Sequence, residues 1–361
     1  MLTREIAKTI VTETSLRLNR NVNIMNEKGV IIGSGDAERM DQIHEGALEV
    51  LKTKEPLAVY KNDDGKWRGT HPGLNLPISF QNQVVGVIGI TGNPDEMNDV
   101  GGLVKMTTEL MIKQEFIARQ LEWKQRTKEM IIEELLRSVP SYEQIERGME
   151  LIELKLPSPY TILIVQISNR SIPNHELIQR IERSISHNDA LIGFINVNTL
   201  FIGLCGTRED RSKKLLNYIS SELNRLSLQY RVAVSNVINT FNDFSQAYQD
   251  CKLALEIVID QQLIFFADVE PQALLHQTNS AEAVRFRERI VTNTVAKYAS
   301  TLTTFFENNL NIQQTSEAMF IHRNTLVYRL NKITKDTGYD PREFRAALTL
   351  QMALWMPESR D

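Results

Sequence analysis

Six polar side chains near the end of the chain have the types and spacing to read DNA. In `MFIHRNTLVYRLNKI`, Thr325, Tyr328, Arg329 and Lys332 fall at i, i+3, i+4 and i+7, so a helix presents them together. Arg323 and Asn324 stand at the start of that helix. The face holds two cations, a phenol and a hydroxyl, with no carboxylate to neutralise them. A guanidinium can grip guanine O6 and N7 with two hydrogen bonds, a threonine methyl can pack on thymine, and an asparagine can reach a base edge or a phosphate. Leu326, Leu330 and Ile333, at i, i+4 and i+7, mark a second, inward face. On spacing alone this is also the pattern of a solvated amphipathic helix, so the surrounding elements decide.

Those elements fit a reader. `NIQQTSEAM` predicts a short first helix over 312–319, with small Ser316 and Ala318 where a neighbour must approach. `FIH` supplies a turn in which Ile321 plugs the core, and the second helix covers 323–333. In a helix-turn-helix the first turns of the second helix enter the major groove, and two copies commonly read symmetric half-sites. Double-stranded DNA is therefore the expected partner and a homodimer the expected state. Residues 322–345 hold six Lys/Arg against three Asp/Glu, a local patch of +3 in a chain of net charge −4. That overall charge argues against general nucleic-acid coating and leaves room for a small reading surface.

At 361 residues with 42% hydrophobic and 24% charged side chains, the chain predicts two to three soluble domains. No stretch approaches the ~18 apolar residues that span a bilayer, and `MLTREIAKTI` carries both charge signs without an apolar signal core. The two cysteines, Cys205 and Cys251, form no CxxC, and the six histidines form no HExxH or HxxxH set. The expectation is a cytoplasmic protein with no membrane contact, no metal and no cofactor.

Three segments follow from periodicity. Residues 1–100 read as α+β: helix at `EIAKTIVTETSLRL`, a hairpin at `NVNIMNEKGVIIGSG` turning at Asn26–Gly29, helix at `DAERMDQIHEGALEVLKT`, and strands at `PLAVYKND` and `LNLPISFQNQVVGVIGITG`. From Gly101 to about Ser138 a long helix is predicted, with apolar residues at 103, 106, 110, 117, 121 and 131 in an imperfect heptad broken by Lys113, Gln120 and Lys124, a pattern of a weak coiled-coil dimer contact or of a helix packing on its own domain. After Pro140, strands at `PYTILIVQIS`, `ALIGFINVNTLFIGLCG` and `YRVAVSNVI` alternate with helices near 175–186 and 210–226, a βαββαβ rhythm of ferredoxin-like or nucleotide-cyclase-like type. Residues 277–300 read as a helical connector, and the last sixty residues as helical throughout.

A resemblance adds to this reading. `NIQQTSEAMFIHRNTLVYRLNKITKDTGYD` resembles the PucR-type helix-turn-helix of bacterial regulators, with `FIHRNTLVYRLNKI` matching the signature `HRNTLxYRL` and `FRAALTLQMAL` the closing helix. `NVNIMNEKGVIIGSGDAERMDQIHEGALEVL` and `GLNLPISFQNQVVGVIGITG` are similar to the sugar-diacid recognition domain of the carbohydrate diacid regulators. The resemblance implies a sensor domain with its long helix over 1–135, of PAS/Cache-like fold. It implies a ferredoxin-like, degenerate GGDEF-like α/β domain over 139–270 and an all-α helix-turn-helix domain over 300–358. It further implies a cytoplasmic transcription regulator, usually an activator, responding to a glycerate, glucarate or galactarate-class acid. The alternative is a nucleotide-processing enzyme built on the middle domain. The hairpin there turns through `NVNT`, without the glycine pair or carboxylate of a GG(D/E)EF loop, so no catalytic residue is expected.

A hydroxy acid needs cationic or N–H donors for its carboxylates and polar partners for its hydroxyls. In `GSGDAERMDQIHEGA`, Gly33 and Gly35 permit close backbone approach, the helix start that follows them offers free N–H groups, Arg39 and His44 are the available cations, and Gly46 belongs to the expected lining. In `GTHPGLNLPI`, His71 is a further carboxylate donor. Ser34, Asp36 and Asn75 face hydroxyls, and Gly73 and Leu76 complete the expected lining. Ser34 and Asp36 also fit as helix caps, Arg39 as a surface partner of Asp36 or Glu38, and His44 as a structural histidine. Glycines 86, 89 and 92 mark close packing on a strand, not a GxGxxG fingerprint.

Overall fold

The computed structural model describes residues 2–356 apart from 64–65, 170–171, 184, 186–188, 207–208 and 279–280. It divides into two compact units, Met1–Arg126 and Thr127–Asp361.

In the first unit, Thr3 caps α1 (Arg4–Leu18) by accepting from the Ile6 N–H. The chain then forms β1 (Val22–Met25) and β2 (Ile31–Ser34), joined at the expected turn, where Asn26 Oδ1 accepts from the Lys28 and Val30 N–H groups and Gly29 takes φ +73°. α2 (Glu45–Thr53), β3 (Leu57–Val59), β4 (Gly73–Phe80), β5 (Gln83–Thr91) and α3 (Pro94–Leu135) follow. The strands make one antiparallel sheet in the order β2-β1-β5-β4-β3. One face buries Ile24, Ile78, Ile88 and Ile90 against Ile6 and Ile10 of α1 and Met97, Val104 and Ile112 of α3. The other carries a smaller cluster, Met25, Ile31 and Val87, under Ala47 and Val50 of α2.

Three expectations need correction here. The helix foreseen over 36–53 begins only at Glu45, because Asp36 and His44 each act as a cap and residues 37–39 close a single tight turn. `LNLPISFQNQVVGVIGITG` is two strands, not one: Gln81 and Asn82 take φ +50° and +61°, the left-handed pair that a two-residue hairpin requires. The long helix begins at Pro94, where the missing N–H costs nothing. It runs through Gly101, whose absent side chain lets α3 close on the sheet; a Cβ there would stand 2.7 Å from Leu74.

The second unit opens with the last turns of α3, then α4 (Tyr142–Leu151), β6 (Tyr160–Asn169), α5 (Asn174–Glu182), β7 (Ala190–Asn196), β8 (Thr199–Cys205), α6 (Glu209–Arg225), β9 (Gln229–Val234), α7 (Phe244–Ile257), β10 (Leu263–Phe265) and α8 (Phe266–His276). Strands β9-β6-β8-β7 are antiparallel neighbours, the ferredoxin-like order, and β10 adds parallel to β9. α5 and α6 cover one face, while α7, α4 and Ile131, Ile132 and Leu135 of α3 cover the other. Sequence reading missed α7 and β10. Arg231 holds this join by donating to the carbonyls of Leu255 and Val258 at the end of α7, a long-range contact without local signature.

The remaining helices are α9 (Ala281–Ile290), α10 (Asn293–Lys297), α11 (Ala299–Glu307), α12 (Ile312–Ala318), α13 (Arg323–Thr337) and α14 (Phe344–Trp355). Their core unites Leu302, Phe305, Leu326, Leu330, Ile333 and Leu350 with Ile290 and Val295, so part of the expected connector is core of the terminal bundle. Among the described residues no helix is long and apolar enough to cross a membrane, and no group of His, Cys, Asp or Glu is placed to hold a metal.

Candidate effector site and nucleic-acid interface

Strand register assembles one polar row across the sensor sheet. Ser34 lies opposite Asn23, Asn23 opposite Gly89, Gly89 opposite Asn75, and Asn75 opposite Leu57. Directly paired residues share a face, and alternation places this row on the same side as Met25 and Val87, under α2. Asn23 and Asn75 are only 2% and 3% exposed, an expensive position for an amide without partners. Asn23 Oδ1 accepts from the Ser34 hydroxyl at 2.6 Å. Among the described residues, neither the Asn23 amide nitrogen nor the Asn75 side chain has a hydrogen-bond partner. Gly89 keeps the row open, since a Cβ there would stand 2.8 Å from Asn75 Oδ1.

Arg39 and His44 come from the chain that leads into α2, and both are buried. Arg39 Nη2 donates to the Gly69 carbonyl at 2.5 Å. Among the described residues no carboxylate pairs with it, so the expected surface contact with Asp36 or Glu38 does not form; burial lowers its pKa against the opposing pull of Asp36. His44 caps α2, its Nδ1 accepting from the Ala47 N–H at 3.1 Å. The ring proton therefore sits on Nε2, which has no partner among the described residues. Burial first, then the charge of Arg39, with a smaller contribution from His71, takes the His44 pKa from 6.5 to about 4. The ring is neutral at pH 7 and remains a donor. Before α3, Asn23, Arg39, His44 and Asn75 are the buried polar side chains among the described residues. A guanidinium, an imidazole N–H and two amides, with no paired carboxylate, make this buried set rich in donors.

The other foreseen residues separate from this set. Asp36 does cap, its Oδ1 accepting the Glu38 N–H, whereas the Ser34 hydroxyl accepts the N–H of Asp36 itself, ahead of the cap. Gly35 makes room for Asn21 Oδ1, and Gly46 for Thr70, whose Oγ1 accepts the Gly46 N–H at 3.1 Å. Leu76 belongs to the α1 and α3 face of the sheet, one residue out of phase with Asn75. His71 lines a separate open cavity of about 660 Å³ with Arg20, Lys61 and Asn62. Gly73 has a packing role, because a Cβ would lie 2.2 Å from the Ile90 carbonyl oxygen. Gly73→Ala should therefore destabilise the sensor by about 1–3 kcal/mol, read as a lower urea midpoint for its unfolding. Asn23 escaped the sequence reading. Its signal was a polar residue in `NVNIM` in phase with inward Met25.

At the other end of the chain, α12 and α13 form the foreseen pair. Asn311 caps α12, His322 caps α13, and Leu326, Leu330 and Ile333 are fully buried. Thr315 and Ser316 lie in the helix contact, whereas Ala318, expected there, is exposed. Arg323, Asn324, Thr325, Tyr328 and Lys332 face solvent together, with Lys332 Nζ over the Tyr328 ring. Arg329 leaves this set. Its Nη1 donates to Thr301 Oγ1 at 2.9 Å, Thr301 being fully buried, and its guanidinium stacks over Tyr298.

Three families match in order: sugar diacid recognition over residues 2–135, the GGDEF-like domain over 137–257, and the PucR C-terminal helix-turn-helix domain over 298–356. The chain is 27% identical to the carbohydrate diacid regulator of Escherichia coli K12, with 99% of each chain covered. Over its whole length the chain is similar to a carbohydrate diacid regulator. YsfB of Bacillus subtilis is 28% identical over 97% of this chain and 96% of that one. The proline-responsive transcriptional activator PutR of the same organism is 20% identical, covering 88% and 83%. This regulator is a ligand-responsive transcription regulator whose helix-turn-helix binds DNA, and its middle domain shares the GGDEF fold.

The buried histidine gives the regulator a pH signature. A folded pKa of about 4 against 6.5 means the unfolded chain binds more protons between those values. Stability is thus complete above pH 6.5 and falls as pH drops towards 4, by up to about 3 kcal/mol. His44→Asn keeps an acceptor at the cap and removes the titration. Its urea midpoint should fall less than wild type between pH 7 and pH 4.5.

Proposed function

We propose that the regulator binds a small hydroxy acid of the glycerate, glucarate or galactarate class between the sensor sheet and α2. Arg39 takes the carboxylate, while His44 Nε2–H, Asn75 and Asn23 meet the remaining oxygens. The observation that carries this reading is the buried, carboxylate-free guanidinium of Arg39 beside unpartnered donors, an arrangement that costs stability unless an anion completes it. The strand order β2-β1-β5-β4-β3 supports a PAS/Cache-like sensor. The name of the Escherichia coli relative supports the ligand class, and that of PutR supports an activator.

In this reading a cytoplasmic homodimer reads its operator with Arg323, Asn324, Thr325, Tyr328 and Lys332. The effector acts only through its different affinity for the two DNA-binding states. The GGDEF-like domain relays the signal without catalysis: its Asn196–Thr199 turn supplies neither the glycines nor the carboxylate of a cyclase loop. The test is thermal melting of the full chain with glycerate, glucarate and galactarate. At a hundred times its dissociation constant, the true effector adds about 2.7 kcal/mol to the native state and raises the midpoint. A flat response to all three acids would remove the ligand assignment.

A further inference from the structure

α3 carries two different faces. Met97, Val104, Thr108 and Ile112 are buried against its own sheet. Away from them run Leu103, Met106, Leu110, Ile117 and Leu121, each 45–61% exposed. Leu103, Leu110 and Ile117 repeat at an exact interval of seven, a spacing that packing on a sheet does not require and a supercoiled helix pair does. Gly102 lies beside the first of them with nothing within 4 Å of where its Cβ would be. A glycine inside a helix costs about 1 kcal/mol relative to alanine, and no internal contact accounts for it.

We infer that this face is the contact between two copies of the regulator, a parallel and in-register helix pair over residues 102–121. With Leu103, Leu110 and Ile117 as the a positions, each meets its own counterpart across the two-fold axis. Gly102 admits the partner backbone at the entry. At the flanking g and e positions Phe116 meets Leu121 of the other copy, while Glu109, opposite Gln114, is held by its own Ser79 N–H, so no like charges meet there. Phe116 also borders an apolar groove of about 270 Å³ with Ile6, Phe80 and Trp123. The partner's Leu121 is the side chain that this pairing brings to that groove. Lys113 and Gln120 fill the d positions and keep the pair weak, the property a contact needs if effector binding is to alter it. The repeat stops at Lys124, close to where the first unit ends.

The inference rests on the homodimer reading and names its surface. Sedimentation of the full chain without DNA tests both separately. Wild type should be a dimer, Leu110→Glu/Ile117→Glu should raise the dimer dissociation constant by about 100-fold or more, and Lys113→Leu should lower it by about tenfold. Circular dichroism of the double variant should be unchanged because both side chains are exposed. Both natural cysteines are buried, so Leu110→Cys should cross-link to itself under oxidation while Ala118→Cys, on another face, should not. A wild-type monomer would overturn the homodimer and the interface together. A dimer indifferent to all these changes would overturn the interface alone, and cross-linking at Ala118→Cys in preference to Leu110→Cys would overturn its register.

Discussion

An Arg39→Ala chain should retain its operator affinity without effector and lose its response to hydroxy acids. A charge-assisted bond from a guanidinium to a carboxylate contributes about 1.5–3 kcal/mol, so the effector should bind roughly 10- to 100-fold more weakly. The effect on folding is smaller and has two opposing parts. The Gly69 carbonyl loses its donor, while the cost of burying an unpaired cation disappears. Arg39→Lys separates charge from shape: it keeps the cation but not the planar fork, and should recover only part of the response. Titration calorimetry with the effector, alongside operator binding by anisotropy, reads both properties. Arg20→Ala and Lys61→Ala are the controls, because these cations line the separate cavity beside His71. If they abolish the response and Arg39→Ala does not, the effector sits in that cavity instead.

What the sequence revealed follows the range of the interactions involved. The period of Leu326, Leu330 and Ile333 is local, and all three are fully buried as spacing required. The `HRNTLVYRL` match carried the terminal helices for the same reason: a contiguous motif encodes a contiguous element. Arg39 and His44 could be picked out by type, but their burial depends on the turn at 37–39 and on residues 69–70 of a distant loop. The polar row needed strand register. Asn23, Gly89 and Asn75 come from three strands, and only their pairing shows that the Asn23 amide nitrogen and the Asn75 amide flank a missing side chain. Leu76 was misplaced for the converse reason, since a one-residue step in a strand changes the face.

Arg329 carries the same lesson into the DNA-binding helix and sets up the sharpest contrast there. It lies beside Tyr328 in sequence, but the 100° step of a helix turns it towards the start of α11, where Thr301 and the preceding Tyr298 hold it. Arg329→Ala should therefore act on folding. It strands a buried hydroxyl and removes a stacked cation, costing about 1–3 kcal/mol of stability, and any loss of DNA binding should track the fraction unfolded. Arg323→Ala should behave in the opposite way. Arg323 is exposed in the first turn of α13, the part of a recognition helix that enters the major groove, so melting should be unchanged. If it grips a guanine, specific operator binding should weaken by about 1–3 kcal/mol while non-specific binding barely moves. If it grips a phosphate, all sequences should weaken alike and the salt slope should fall by about one. Lys332→Ala, two and a half turns further along beside Tyr328, should show the phosphate pattern. Melting curves with anisotropy on operator and scrambled DNA at several salt concentrations separate these outcomes. Arg329→Ala with unchanged melting and lost base discrimination would return that residue to the reading face.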